Sequence, residues 1–594
     1  GDVSLLNLLA SARPVRVQAG RDIAFGRSAS IEVQHQHSNV QLVQLHELSL
    51  LQAGRDIVFS ANSTTPHLEI AGPGDLMLLA GRDIDLGGGS GVVATGAVNN
   101  SVLLPAGASH VTLLAGLRAD GSDYREAVAQ GFHVLGGQGL RQQSAALYRL
   151  LGGNAAQKFE SLNGTQQLSA VQGLLGSARS EAMLAAYVRS LPARADAAEQ
   201  AQRVAALLGK PAGDPAVQSE IAKLSATTQP AWSALTPAQA LQVVPSLNEA
   251  QQRGAAAQLL VEAFADLPQA QRQAELTRLS TPQQIKPLAD YVRKVTGETV
   301  SDTQALQRFE SLPLERQLPW LNKILMTELR SAGRAAAVTE GNERWAAYAP
   351  AYQAINTLFP LDRPAGELRM PTSQIKTLQQ ADITLLAPGG GANAGELAAS
   401  SKRATELGIV TVNGGDISAL VRDNFEVNQS RVFTLAQGNV LLWASQGNID
   451  AGRGAKTVTG APAPVLRLDD QGRLVFDTSG SFSGSGIAVL NAASDLDLYA
   501  PTGEINAGEA GIRSRGNAFL AADRLVNAVE IQVGGDSRGG GKVEAAAPLI
   551  SAPVSTALAP TAAGPAAADS EDEERRKRRA RRNLLLEFLG FGDN

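Results

Sequence analysis

Apolar and polar residues alternate along "VRVQAGRDIAFG", "IEVQHQ", "VQLVQLHELSLLQAGRDIVFS", "LMLLAGRDIDLG" and "HVTLLAGL", all within residues 1–117. Glycine pairs punctuate the runs. That pattern predicts short β-strands joined by turns. The same texture returns over 382–545 in "ADITLLAPGG", "IVTVNGGDISAL", "NVLLWASQGNIDAGRG" and "LDLYAPTGEINAG". Between them, over 121–365, Ala, Leu and Gln recur at helical spacing. "LTPAQALQVV" and "LSTPQQIKPLADYV" share a Thr-Pro-x-Gln start. Thr236 and Thr281 fit an N-cap, Pro237 and Pro282 the first helical position, and Gln239 and Gln284 the far side of a capping box. "FESLNGTQQL" (from Phe159) echoes "FESLPLERQL" (from Phe309), and "LAAYVRSL" echoes "LADYVRKV". About ten short helices in a solenoid or irregular bundle are expected.

The phrase "AGRDI" occurs at Ala19–Ile23, Ala53–Ile57 and Ala80–Ile84, and a diverged "TLLAGL" follows at Gly116. The glycines are 34, 27 and 35 residues apart. Unequal spacing argues against tandem helical repeats. It suits a coil of parallel strands whose turns tolerate insertions, in which stacked rungs share one core. Gly20, Gly54 and Gly81 are then bends where a side chain would crowd. Asp22, Asp56 and Asp83 are placed to bond turn amides. Ile23, Ile57 and Ile84 are expected to stack inward. An antiparallel sandwich reusing one turn is the alternative.

The end of the chain has a third texture. Residues 546–568 are rich in Ala and Pro and read as a disordered linker. Residues 569–594 read as an acidic–basic helix. Ser570 and Glu573 fit a capping box. Glu571, Asp572, Glu573 and Glu574 each precede a base by four residues, the favourable order. The basic run is Arg575, Arg576, Lys577, Arg578, Arg579, Arg581 and Arg582, and Leu584, Leu585, Leu586, Phe588 and Leu589 make an apolar end. A solvated tail is one reading. A docking element for an anionic membrane surface or a partner is the other.

Hydrophobic residues are 44% of the chain but aromatics only 4%, so the core must be aliphatic. The net charge of −5 gives the whole chain no pull on nucleic acid, which is not expected as a partner. Cysteine is absent, which excludes disulfides, Cys-ligated zinc and Cys nucleophiles. No apolar run is long enough to span a membrane as a helix. The chain starts with Gly and carries no basic-then-apolar leader, so it reads as part of something longer or as a processed product.

Candidate chemistry is sparse. His35 and His37 share one face of an expected strand, with His46 and His67 nearby, but no third ligand has recognisable spacing. "GRGAKT" (Gly452–Thr457) resembles a phosphate loop, yet Ala455 stands where Gly must precede Lys and only Arg453 separates the glycines. "GGGSG" (Gly87–Gly91) and "GGDSRGGG" (Gly534–Gly541) lack the strand-to-helix setting of a dinucleotide site. Asp450 and Glu504 suggest a glycosidase pair. They sit in matching phrases, "NIDAG" and "EINAG", which turn architecture explains more simply. No catalytic, cofactor-binding or metal residue is expected, and no cofactor.

The "AGRDI" repeats resemble those of filamentous-haemagglutinin-like adhesins of two-partner secretion systems. "NVLLWASQGNIDAGRGAKT", "GSGIAVL", "DLDLYAPTGEINAGEAGIRSRGN" and "NAVEIQVGG" are similar to the C-terminal region of very large members. "TELRSAGRAAA" (Thr327–Ala337) and "YAPAYQAINTLFP" (Tyr348–Pro360) resemble the stretch preceding that region. The resemblance implies a right-handed parallel β-helix at the bacterial cell surface or secreted, exported through an outer-membrane transporter. The family's secretion signal, near its N-terminus, is not present in this chain. The expected layout is a β-helix over 1–120, an all-α insertion over 121–365, a second β-helical block over 366–545, then linker and tail. The expected function is structural and adhesive, with the insertion projecting as a contact surface for an unidentified host or neighbouring-cell receptor. A secretion-control or anchoring module near the outer membrane is an alternative, and a surface enzyme with its site among the helices is another.

Overall fold

The computed structural model describes residues 1–10, 14–33, 47–60, 67–96, 107–118, 121–191 apart from 155 and 157, 235–340, 343–360, 363–396, 406–453, 465–468, 474–477 and 484–543, with isolated positions 211, 215, 232 and 402. His35, His37 and His46, the linker and the whole basic run Arg575–Arg582 lie outside these residues.

Twenty-six of the described strands join one sheet, and its pairings are parallel. Over the middle of the coil each short strand pairs with the one three further along, and elsewhere one long strand spans two walls, so the chain coils through three walls per rung, the arrangement of a β-helix. One rung runs Gly74–Ala80, Ile84–Asp85, Gly91–Gly96. The next is Ser109–Ala115, Leu368–Arg369, Gln374–Thr377. The helical segment is therefore inserted inside a single rung, between its first and second walls. Ser109–Ala115 pairs with Gly74–Ala80 below and with Ile383–Ala387 above. The strands before and after the insertion thus form one continuous coil. A separate antiparallel pair, Val465–Leu468 with Leu474–Asp477, leaves the coil between Asp450 and Gly486.

The repeats occupy equivalent places. Ile23, Ile57 and Ile84 pair in register with one another and then with Leu368, and all three isoleucines are wholly buried. Gly116 follows Ala115, which pairs with Ala80, so the diverged copy stands where Gly81 stands one rung lower. A methyl group on Gly54 or Gly81 would collide with the carbonyl of the glycine one rung below. The aspartates do bond turn amides, but those of the next rung: Asp22 Oδ1 accepts the Asp56 N–H and Asp56 Oδ1 the Asp83 N–H, both at 3.1 Å. Arginine has a role that the turn chemistry did not predict. Arg55 Nε donates to Asp22 at 2.9 Å and Arg82 Nε to Asp56 at 2.8 Å, so each arginine clamps the aspartate of the rung beneath.

Two expectations need correcting. The first-wall strands are not half-buried alternating strands. In "LMLLA", Leu76 and Leu78 face the coil interior while Met77 and Leu79 pack in the helical core, and all are buried. An unbroken apolar run is what a strand covered on both faces needs. Nor does the insertion only project from the rod. Leu48, Leu114, Leu386, Leu420, Leu441 and Tyr499, on the outside of successive first-wall strands, belong to one hydrophobic cluster with the helices. An exposed stripe of that size would be unstable in water, and the helices cover it.

Twelve α-helices lie between Ser122 and Leu358 among the described residues. Those starting at Pro237 and Pro282 begin as expected. Gln239 Oε1 accepts the Thr236 N–H at 2.9 Å and Gln284 Oε1 the Thr281 N–H at 2.9 Å. The two "FESL" echoes are real in contact as well. Gln167 Nε2 donates to the carbonyl of Phe159, and Gln317 Nε2 to that of Phe309, both at 2.9 Å.

Candidate functional site

The long helix Leu314–Ala337 and the helix Glu343–Leu358 pack on each other, and the long helix reaches the outer first wall. The amphipathic spacing of the long helix, with Leu318, Leu321, Leu325 and Leu329 buried, supplies the apolar contact. Its polar edge supplies the rest. Arg334 grips Asp497 through Nε–Oδ1 at 2.8 Å and Nη2–Oδ2 at 2.9 Å, and reaches Asp495 at 2.7 Å. Arg330 approaches Asp497 at 3.2 Å and Asp416 at 3.7 Å. The Asp497 side chain is 0% exposed, and the Tyr499 hydroxyl also donates to it at 2.6 Å. Hydrogen bonding to Asp497 holds the Arg334 pKa above its ordinary value despite burial. The Arg334 guanidinium also lies 4.2 Å from the Phe519 ring centre.

Further along the same helix the same sign pattern continues: burial raises the pKa of Asp75, which Arg316 partly offsets, and against burial the hydrogen bond with His110, with Lys323 adding to it, holds Asp382 below its ordinary value. The helix from Arg316 to Arg334 rises about 27 Å. The rungs from Asp75 to Asp495 climb about 24 Å. The match lets one helix run along the coil and meet an acid on several rungs.

Beside this ion-pair column sits an aromatic cluster. Trp443, 1% exposed, has Tyr348, Tyr352 and Tyr499 around it at ring-centre distances of 5.8, 6.0 and 5.7 Å. The Tyr352 hydroxyl donates to the Ser445 carbonyl. Gly333 lies flat against the Tyr499 ring, where a methyl group would strike the ring carbons. So "TELRSAGRAAA" contributes Arg330, Gly333 and Arg334, "YAPAYQAINTLFP" contributes Tyr348 and Tyr352, "NVLLWASQGN" contributes Trp443, and "DLDLYAPTGE" contributes Asp495, Asp497 and Tyr499. Four separate phrases meet in one dock. The sequence signals for it were the doubled apolar residues of the first-wall strands and the lone acids within them.

The residues weighed above for chemistry, and set aside as turn architecture, fall elsewhere. Asp450 Oδ1 accepts the Gly452 N–H at 2.7 Å, and in register Asp450 faces Asn506, not Glu504. The same turn recurs where Asp85, Asn393 and Asn506 accept from Gly87, Gly395 and Gly508. Glu504 pairs with Arg524. Gly452 is a left-handed turn residue above Asn428, and Gly454–Thr457 lie outside the described residues. His67 stands 3.6 Å from Glu32. Among the described residues no group of three or more His, Cys, Asp or Glu is placed to hold a metal.

The helical interior does contain perturbed titratable groups. Burial pushes Glu262 up to about 7, Arg141 down to about 10 and His133 down to about 3. Each is packed in. Arg141 donates to Gln258 at 2.8 Å and to Thr357 at 3.2 Å, and Gln258 in turn donates to Glu262 at 2.9 Å. The cavity beside Arg141, lined by Gln130, Gly136, Val261 and Thr357, has room for about one water molecule.

The fold and dock define a β-helical scaffold with an α-helical module fastened along one wall. Residues 437–541 match the family model described as filamentous haemagglutinin family outer membrane protein, and over that stretch the chain is similar to that family. The matched region holds Trp443, Asp495, Asp497, Tyr499 and Phe519, the coil's half of the dock. No curated protein and no solved structure matched. No described helix is long and apolar enough to cross a membrane.

Proposed function

We propose that this chain is the C-terminal part of a large two-partner-secreted surface exoprotein, a right-handed β-helical rod that works by stiffness and adhesion rather than catalysis. The observation that carries this reading is the dock itself. Four of the phrases that resemble the family supply the residues that fasten the helical module to the rod. A module fastened over several rungs braces the rod and leaves the outward sides of the helices for contact with a receptor. Export would use the outer-membrane transporter of the full-length protein. The secretion-control alternative predicts a different location for the same segment. Antibodies to residues 382–545 should label intact cells or culture medium. Labelling confined to the periplasm would favour retention and defeat the adhesive reading.

The basic run from Arg575 to Arg582, with its apolar end, is proposed to bind an anionic membrane surface, each base contributing about 1 kcal/mol near such a surface. A peptide of residues 569–594 should bind anionic vesicles at low salt and release at high salt. Equal binding to neutral vesicles, or no binding at all, would leave a solvated tail.

A further inference from the structure

One corner of the coil carries a column of side chains that pass hydrogen bonds upward. Asp382 Oδ1 accepts the Asp416 N–H, Asp416 Oδ1 the Asn439 N–H, and Asn439 Oδ1 the Asp495 N–H, each at 2.8 Å. Asn517 Oδ1 accepts the Asp536 N–H at 3.0 Å. Each acceptor here is an oxygen, available at any pH near neutrality. The column begins differently. The Asp382 N–H donates at 3.1 Å to Nδ1 of His110, the second residue of the last strand before the helical module.

An imidazole nitrogen accepts only when it carries no proton. The same Nδ1 is 3.3 Å from Asp382 Oδ2, a distance at which a protonated ring would pair with the carboxylate instead. His110 is also in register with Asp75 one rung below. The charged groups facing this corner from the packed helices are Lys294, which opposes a charge on His110, and Arg316 and Lys323, which act on Asp75 and Asp382.

We infer that His110 is a proton-operated joint in this column. Neutral, it carries the ladder to Asp382 by accepting the amide. Protonated, it gives up that bond and clasps the Asp382 carboxylate, with Asp75 beneath. Burial acts against the charge, but the two aspartates outweigh it and raise the His110 pKa. A raised folded value means the clasp stabilises below the ordinary histidine range and is lost as pH rises through the folded value. The side chains are about half exposed, 47% for His110 and 49% for Asp382, so the effect is a modulation of one joint, not an unfolding trigger.

The test uses the full chain labelled with ¹⁵N-histidine. Neutral His110 should show the Nε2–H tautomer, and its titration midpoint should fall in Asp382→Asn. His110→Asn keeps an oxygen acceptor, as Asn439 does, so it should fold. The thermal midpoint of the wild type relative to His110→Asn should rise as pH falls from 8 to 5. A neutral Nδ1–H tautomer, a midpoint unmoved by Asp382→Asn, or a stability difference flat with pH would each overturn the joint.

Discussion

Arg334 and Asp497 are 163 residues apart in the chain and joined by two hydrogen bonds. The pair links a helix that leaves the coil in one rung to a strand laid down several rungs later. Arg334→Met should destabilise the protein by roughly 1–3 kcal/mol, less than the loss of a sole partner, because Arg330 and Tyr499 still face the carboxylate. Denaturant unfolding of both single variants with Asp497→Asn, and of the double, gives the coupling. Fully additive losses would mean that the contact is not what fastens the helix.

Gly333 should accept no side chain. Gly333→Ala places a methyl group into the Tyr499 ring and should cost about 1–3 kcal/mol. Hydrogen exchange should then quicken across Leu314–Ala337. Adding Tyr499→Leu should recover part of the loss. Unchanged exchange in Gly333→Ala would show that the helix does not sit against Tyr499.

Removing the helical module should not leave a soluble coil. Gly116 lies beside Pro364, so the ends could be joined without strain in the coil. The join would expose Met77, Leu79, Leu114, Leu386, Leu420 and Trp443, each worth roughly 1.5–3 kcal/mol when buried. Deletion of 121–365 should therefore aggregate, and polar residues at these six positions should restore a monomer with a β-type circular dichroism spectrum. A soluble, cooperatively unfolding deletion protein without those changes would contradict a coat-like role for the helices.

Glu262 should make the helical module acid-preferring. Its folded pKa is raised from 4.5 to about 7 by burial. Within that window the folded state holds a proton that the unfolded chain has released, so stability falls as pH rises and levels off above it. Glu262→Gln should remove the slope and gain at most about 2–3 kcal/mol at pH 8. Parallel stability curves for the two proteins across pH 4–8 would refute the shift.

The arginine–aspartate ladder should matter more through its amide bonds than its charges. Asp56→Asn keeps an oxygen for the Asp83 N–H and loses the charge that faces the half-exposed Arg82 and, at 3.9 Å, Arg55. Asp56→Ala also leaves the amide without its acceptor. The thermal midpoint should fall further in Asp56→Ala than in Asp56→Asn, and equal midpoints would remove the amide's share.

By itself the sequence determined the local units. Spaced glycines, inward isoleucines and turn aspartates define a coil because those constraints act within a few residues or between equivalent positions of adjacent rungs. Thr236 and Thr281 start helices for the same local reason. What the tertiary structure decided was which surfaces meet. Leu76 and Met77 read alike in the chain, yet one faces the coil core and the other the helices. Arg82 reads as a solvated turn residue until the coil sets it over Asp56 of the rung before. Doubled apolar residues and lone acids mark the first-wall strands as covered on both faces, but nothing local joins Arg334 and Gly333 to Trp443, Asp497 and Tyr499, because the halves of the dock come from segments separated by more than a hundred residues. Only the stacking of rungs sets them against one helix.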